Sequence, residues 1–170
     1  LKRDIKKAIH YYSLAADKNY LQAIKNLGFI YYDKKFDESD VNKAIHYFKI
    51  AAGQNDKQAQ FFLGLNYLEG DDVDIGKAIH YFTLAANQDD PKALNKLGSI
   101  YLEGKYVKED INKAIHYYSL AANQNDTEAQ FKLGSIYYSD EYATQNINKS
   151  IQYLTLAANQ NHLNAQFYLG

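Results

Sequence analysis

The chain contains no cysteine, no methionine and no tryptophan, and a single proline in 170 residues. Without cysteine it has neither disulfides nor thiolate metal sites nor a thiol nucleophile, which fits a reducing compartment such as the cytoplasm. Neither sign of charge is in excess: 19 basic residues stand against 20 acidic ones, a net charge of −1, and both signs are scattered. No basic stripe exists to follow a phosphate backbone, so nucleic acid is not an expected partner. No apolar run approaches the roughly 18 residues that span a bilayer, so membrane insertion is not expected, and Leu1 opens no signal peptide. Abundant instead are tyrosine (17) and phenylalanine (8), which points to an aromatic-packed helical core.

The dominant feature is a repeat. Leu-Gly pairs fall at Leu27-Gly28, Leu63-Gly64, Leu97-Gly98, Leu133-Gly134 and Leu169-Gly170, with steps of 36, 34, 36 and 36 residues. Ala-Ala pairs beginning at Ala15, Ala51, Ala85, Ala121 and Ala157 keep the same steps. A fixed period of this length means stacked two-helix units, because one such unit cannot bury its apolar face alone. The boundaries read as a second-helix fragment at 1–19, repeats at about 20–55, 56–89, 90–125 and 126–161, and a partial repeat at 162–170. The whole is expected to be one array cut from a longer protein.

Second (B) helices are predicted at about 5–17, 41–53, 75–87, 111–123 and 147–159. Each follows a short oxygen-bearing side chain, Asp4, Asp40, Asp74, Asp110 or Asn146, suited to accept an orphan N–H of the first turn. Each ends near Asn19, Asn55, Asp89, Asn125 or Asn161, residues that tolerate a left-handed exit. First (A) helices are predicted at about 21–33, 57–69, 91–103, 127–139 and 163–170, capped by Asp56, Asp90 and Asp126, with Tyr20 and His162 as poorer caps. Pro91 takes the first helical position, where its missing N–H costs nothing. The mid-helix glycines each cost about 1 kcal/mol, and the expected compensation is close approach of the Ala-Ala pair of helix B. Val41, Ala44, Phe48, Ala51 and Ala52 form one apolar stripe at helical spacing and read as core.

Ala93, Leu97, Gly98, Tyr101, Gly104, Val107, Asp110, Lys113, Ala114, Tyr118, Ala121 and Ala122 match the pattern of the Sel1-like repeat, which the whole chain resembles. Tyr106 stands at the second loop glycine, Tyr117 at the tryptophan and Asn125 at the terminal glycine. Tyr106, echoed by Phe36 and Tyr142, suggests a different loop path. The resemblance implies an all-α, right-handed α-solenoid of stacked antiparallel helix pairs, related to the tetratricopeptide superhelix. It also implies an adaptor that assembles protein complexes rather than an enzyme. Some secreted bacterial members are rich in disulfides, and a cysteine-free chain does not look like that branch.

Positions that differ between repeats are where partner choice can be written. On the A helices one sector of about 100° varies: Gln22, Lys25, Phe29, Tyr32 and Asp33; Gln58, Phe61, Leu65, Leu68 and Glu69; Lys92, Asn95, Ser99, Leu102 and Glu103; Glu128, Phe131, Ser135, Tyr138 and Ser139; then Asn164 and Phe167. In related solenoids this face lines the concave groove. Lys25, Phe29, Tyr32, Gln58, Phe61, Leu65, Asn95, Ser99, Glu128, Phe131, Ser135, Tyr138 and Phe167 are therefore the candidate partner-binding residues, for a peptide or helix of another protein. The competing reading is that these aromatics pack against a neighbouring A helix, and Leu68 and Leu102 fit it best. A structural spacer or docked subunit using the opposite face, or a regulatory segment of a multidomain protein, are the alternative roles.

Chemistry is not expected. His10, His46, His80 and His116 recur at one solvent-facing position with Gln152 at the fifth, and none has a second ligand one helical turn away. The Asp71-Asp72-x-Asp74 loop lacks the glycine and closing glutamate of a calcium loop. No nucleophile elbow, phosphate-cradling glycine loop or metalloprotease motif occurs, so no metal, cofactor or catalytic residue is assigned.

Overall fold

The computed structural model describes residues 4–70, 72–139 and 146–170. Among them are ten helices and no strand: α1 (Ile5–Ala16), α2 (Leu21–Tyr32), α3 (Val41–Gly53), α4 (Lys57–Glu69), α5 (Ile75–Ala86), α6 (Pro91–Glu103), α7 (Ile111–Asn123), α8 (Thr127–Tyr138), α9 (Ile147–Asn159) and α10 (Leu163–Leu169). Odd-numbered helices are the B type and even-numbered ones the A type, within a residue of the expected ends. The chain forms two compact units, 1–85 and 86–170. Leu1, Asp71 and Tyr142 lie outside the described residues.

Local chemistry fixes where each helix begins and ends. At every B helix the cap side chain accepts from the backbone N–H three residues on: Asp4 from Lys7, Asp40 from Lys43, Asp74 from Lys77, Asp110 from Lys113 and Asn146 from Lys149, at 2.9–3.1 Å. Asp56, Asp90 and Asp126 do the same for α4, α6 and α8, each at 2.9 Å. His162, expected to cap poorly, does cap: its Nδ1 accepts from the Ala165 N–H at 3.2 Å. Tyr20 makes no side-chain cap bond. All five exits turn through the left-handed region, with φ of 57–65° at Asn19, Asn55, Asp89, Asn125 and Asn161. The next N–H then reaches back to the helix, as in Asp56 N–H to the Ala51 carbonyl at 3.1 Å, closing the end.

The capping lysines also clasp each hairpin. Lys43, Lys77, Lys113 and Lys149 lie 4.7–5.2 Å from the ring centres of Tyr31, Tyr67, Tyr101 and Tyr137. Those rings stack on Tyr47, Tyr81, Tyr117 and Tyr153 of the following B helix at 5.7–6.0 Å. The Asp40, Asp74, Asp110 and Asn146 N–H groups bond the carbonyls of the same A-helix tyrosines at 2.8–2.9 Å. One constellation of Asp (Asn in the last), Lys, Tyr and Tyr therefore closes each of these four hairpins, using cation–π and ring stacking beside the cap. Its hydrogen bond from Lys77 holds the Asp74 carboxyl below the ordinary carboxylate range.

The mid-helix glycines correct the expectation that Ala-Ala pairs meet them. A Cβ at Gly28 would stand 2.6 Å from the Phe48 ring, one at Gly64 2.6 Å from Phe82, one at Gly98 2.8 Å from Tyr118, and one at Gly134 2.7 Å from Leu154. The glycine is a notch for a large side chain of helix B, whose alanines (Ala51, Ala85, Ala121, Ala157) are also buried. Replacing Gly98 by alanine recovers about 1 kcal/mol of helix propensity but overpacks by about 1–3 kcal/mol. The expected net is a loss of up to about 2 kcal/mol in urea unfolding. Gly53→Ala, where nothing lies within 4 Å, should instead raise stability by up to about 1 kcal/mol. Equal effects at the two positions would refute the notch.

Candidate functional site

Three of the candidate residues come together in the first unit. Phe29 and Tyr32 of α2, Val41 and Ile45 of α3, and Phe62 and Leu65 of α4 line a groove of about 800 Å³. Its rim is polar: Asp33 and Lys34 after α2, Asn42 on α3, and Asn66, Glu69, Gly70 and Asp72 at and beyond the end of α4. The floor is a fixed aromatic cluster. Phe62 sits 5.0 Å from Phe29, 5.2 Å from Tyr32 and 5.4 Å from Phe48, the first two edge-on and the last stacked. Phe48 is buried over Gly28, so it anchors the cluster from beneath, while Tyr32 is 36% and Val41 40% exposed. Val41 is thus groove wall, not the core residue its stripe suggested.

Other candidates hold neighbouring repeats together. The position of Lys25 reaches the residue that caps the next A helix. The Lys25 Nζ lies 2.9 Å from Asp56 Oδ2, with side chains only 13% and 11% exposed. In the second unit Asn95 Nδ2 donates to Asp126 Oδ1 at 2.8 Å, leaving its own Oδ1 buried without a partner. One repeat further, the Phe131 ring stacks on His162 at 4.4 Å. Because His162 Nδ1 accepts from Ala165, its proton is on Nε2, 3.3 Å from Glu128 Oε2. Lysine with aspartate, asparagine with aspartate and phenylalanine with histidine are three solutions to one seam, so variation there tracks the neighbouring cap.

The remaining candidates are dispersed. Phe61 packs its ring 5.8 Å from Phe82, Ser99 Oγ is 2.9 Å from the Tyr118 hydroxyl, and Ser135 Oγ donates to the Phe131 carbonyl at 3.0 Å. Gln58 and Glu128 are exposed on the first turns of α4 and α8, and Glu128 also pairs with Lys132 at 3.6 Å. Tyr138 and Phe167 are exposed, both near Tyr168. Leu68 is buried. In the second unit Ser99, Lys132 and Ser135 stand where the groove of the first has Phe29 or Leu65 and Phe62, so the same aromatic floor is not repeated.

Phe62 and Ile45 escaped the sequence reading. Phe62 lies one residue outside the chosen sector, yet its repeat counterparts, Asn26, Lys96, Lys132 and Tyr168, differ as much as any candidate position. Burial pushes the Tyr118 phenol up to about 12, partly offset by the Ser99 hydrogen bond. The four recurring histidines are exposed on the B helices, each 5.2–5.4 Å from the next tyrosine in the chain. Among the described residues no group of three or more His, Asp or Glu side chains is placed to hold a metal ion.

Antiparallel helix pairs repeated at a fixed period, each closed by the same clasp, define an α-solenoid repeat protein. Sel1 repeat signatures match residues 1–20, 21–56, 57–90, 91–126 and 127–162, and the chain belongs to the Sel1 repeat family. A Sel1 repeat protein from Oxalobacter formigenes is 33% identical with a TM-score of 0.84, over 97% of this chain and 68% of that one. A protective antigen present in uropathogenic Escherichia coli strains, displaying the same fold, is 27% identical with a TM-score of 0.84, over 92% of this chain and 34% of that one. Helicobacter pylori cysteine rich protein B is 25% identical with a TM-score of 0.60, over 80% of this chain and 99% of that one. No curated protein matches the chain. Sel1 repeats are a non-catalytic scaffold class that generally mediates protein–protein interactions. No described helix is long and apolar enough to cross a membrane.

Proposed function

We propose that this chain is a non-enzymatic adaptor that holds a peptide or helix of a partner protein against its A helices, with the aromatic groove of the first unit as the binding site. The observation that carries this reading is the groove itself: about 800 Å³ walled by Phe29, Tyr32, Val41, Ile45, Phe62 and Leu65 and open to water. Aromatic groups held rigid by packing bind without losing side-chain freedom, and that makes them good anchors. The scattered charges, with no basic stripe, favour a protein over a nucleic acid. Short peptides selected from a random phage-displayed library against the wild-type protein should bind at least about tenfold more weakly to Tyr32→Ala and Leu65→Ala. Helical content and melting temperature should stay close to wild type, since both side chains are only partly buried. Failure to select any peptide, or equal affinity for both variants, would overturn the reading.

A further inference from the structure

The groove has a charge as well as a shape. Three carboxylates, Asp33, Glu69 and Asp72, stand on its rim with one lysine, Lys34. Two helices also end there. The last residue of α2 is Tyr32 and the last of α4 is Glu69, and neither helix carries a basic residue in its final turn. Helix C-termini present carbonyl oxygens and a partial negative charge, which lysine or arginine commonly offsets from within the helix. Two carbonyls of each last turn are taken by backbone N–H groups, Phe29 by Asp33 and Tyr31 by Asp40 in α2, Asn66 by Gly70 and Tyr67 by Asp74 in α4. Beneath this negative rim lie the faces and edges of Phe29, Tyr32 and Phe62, and aromatic faces attract cations.

Building on the reading that this groove holds a peptide, we infer that its occupant is a cationic segment of a partner protein. An arginine or lysine flanked by apolar residues would place its charged head among Asp33, Glu69 and Asp72, with its neighbours against Tyr32, Val41 and Leu65. Arginine fits best, because a guanidinium stacks flat on an aromatic ring while its N–H groups reach carboxylates and helix-end carbonyls together. The second unit lacks this combination: Lys132 takes the place of Phe62, and Ser99 and Ser135 replace the groove's Phe29 and Leu65.

The test uses the selected peptides and a variant in which Asp33→Asn, Glu69→Gln and Asp72→Asn remove charge but keep shape at the rim. Selected sequences should be enriched in arginine or lysine next to apolar residues. Changing that arginine to citrulline should weaken binding roughly tenfold, as should the rim variant, and affinity for the wild type should fall as salt rises from low to physiological. Peptides that depend on Tyr32 and Leu65 but are neutral or acidic, or that bind the rim variant equally well, would overturn the cationic occupant while leaving peptide capture standing. A protein that selects no peptide, or that sediments as a dimer and becomes a monomer on Tyr32→Ala, would overturn both.

Discussion

Phe48→Ala should lower the stability of the protein by about 3–5 kcal/mol. Phe48 is 2% exposed and touches three sets of neighbours at once. It fills the notch at Gly28, meets Phe29 edge-on at 5.2 Å and stacks on Phe62 at 5.4 Å. Its removal therefore forfeits the transfer of a phenyl group from water and also leaves a cavity whose walls, two helices already in contact, cannot close. The measurement is urea unfolding followed by circular dichroism. A second variant isolates the cause: Gly28→Ala should be costly in the wild type and nearly neutral or stabilising in the Phe48→Ala background, where the ring no longer opposes it. Additive effects would show that ring and notch are not partners.

The second large effect is alkaline. Burial raises the Tyr118 phenol to about 12, against about 10 in an unfolded chain. Below the unfolded value both states carry the proton and nothing differs. Between about pH 10 and 12 the unfolded chain has lost it and the folded protein has not, so stability falls as pH rises, by about 2–3 kcal/mol, and levels off beyond. Tyr118→Phe should lack this part of the decline. It also removes the hydrogen bond to Ser99 at 2.9 Å, worth about 1 kcal/mol at neutral pH, so the slopes are to be compared and not the absolute values. Contributions that the two proteins share cancel in the difference between their profiles. Identical alkaline profiles would contradict the burial of this hydroxyl.

What could be read from residues alone was what local chemistry decides. Asp and Asn caps and left-handed Asn exits act within a few residues, so all ten helices could be bracketed to within a residue of their ends. The features that escaped depend on rotation and stacking. Phe61 and Phe62 are neighbours in sequence and sit 100° apart on α4; only the packing of α4 against α2 and α3 sends Phe62 into the groove and Phe61 toward Phe82. Lys25, Asn95 and Phe131 looked like partner-facing variation, because the caps they meet, Asp56, Asp126 and His162, lie 31 residues away in the chain. The glycine notch was misread for a similar reason: small residues suggest small neighbours, whereas a missing Cβ here makes room for a ring.

The most direct measurement is a map of amide and aromatic-proton NMR shifts when a selected peptide saturates the wild-type protein. Changes should cluster at Phe29, Tyr32, Val41, Phe62 and Leu65, the walls of the groove, and fade at the exposed histidines His46 and His80. Shifts centred on those histidines, with the groove unchanged, would contradict the proposed binding face.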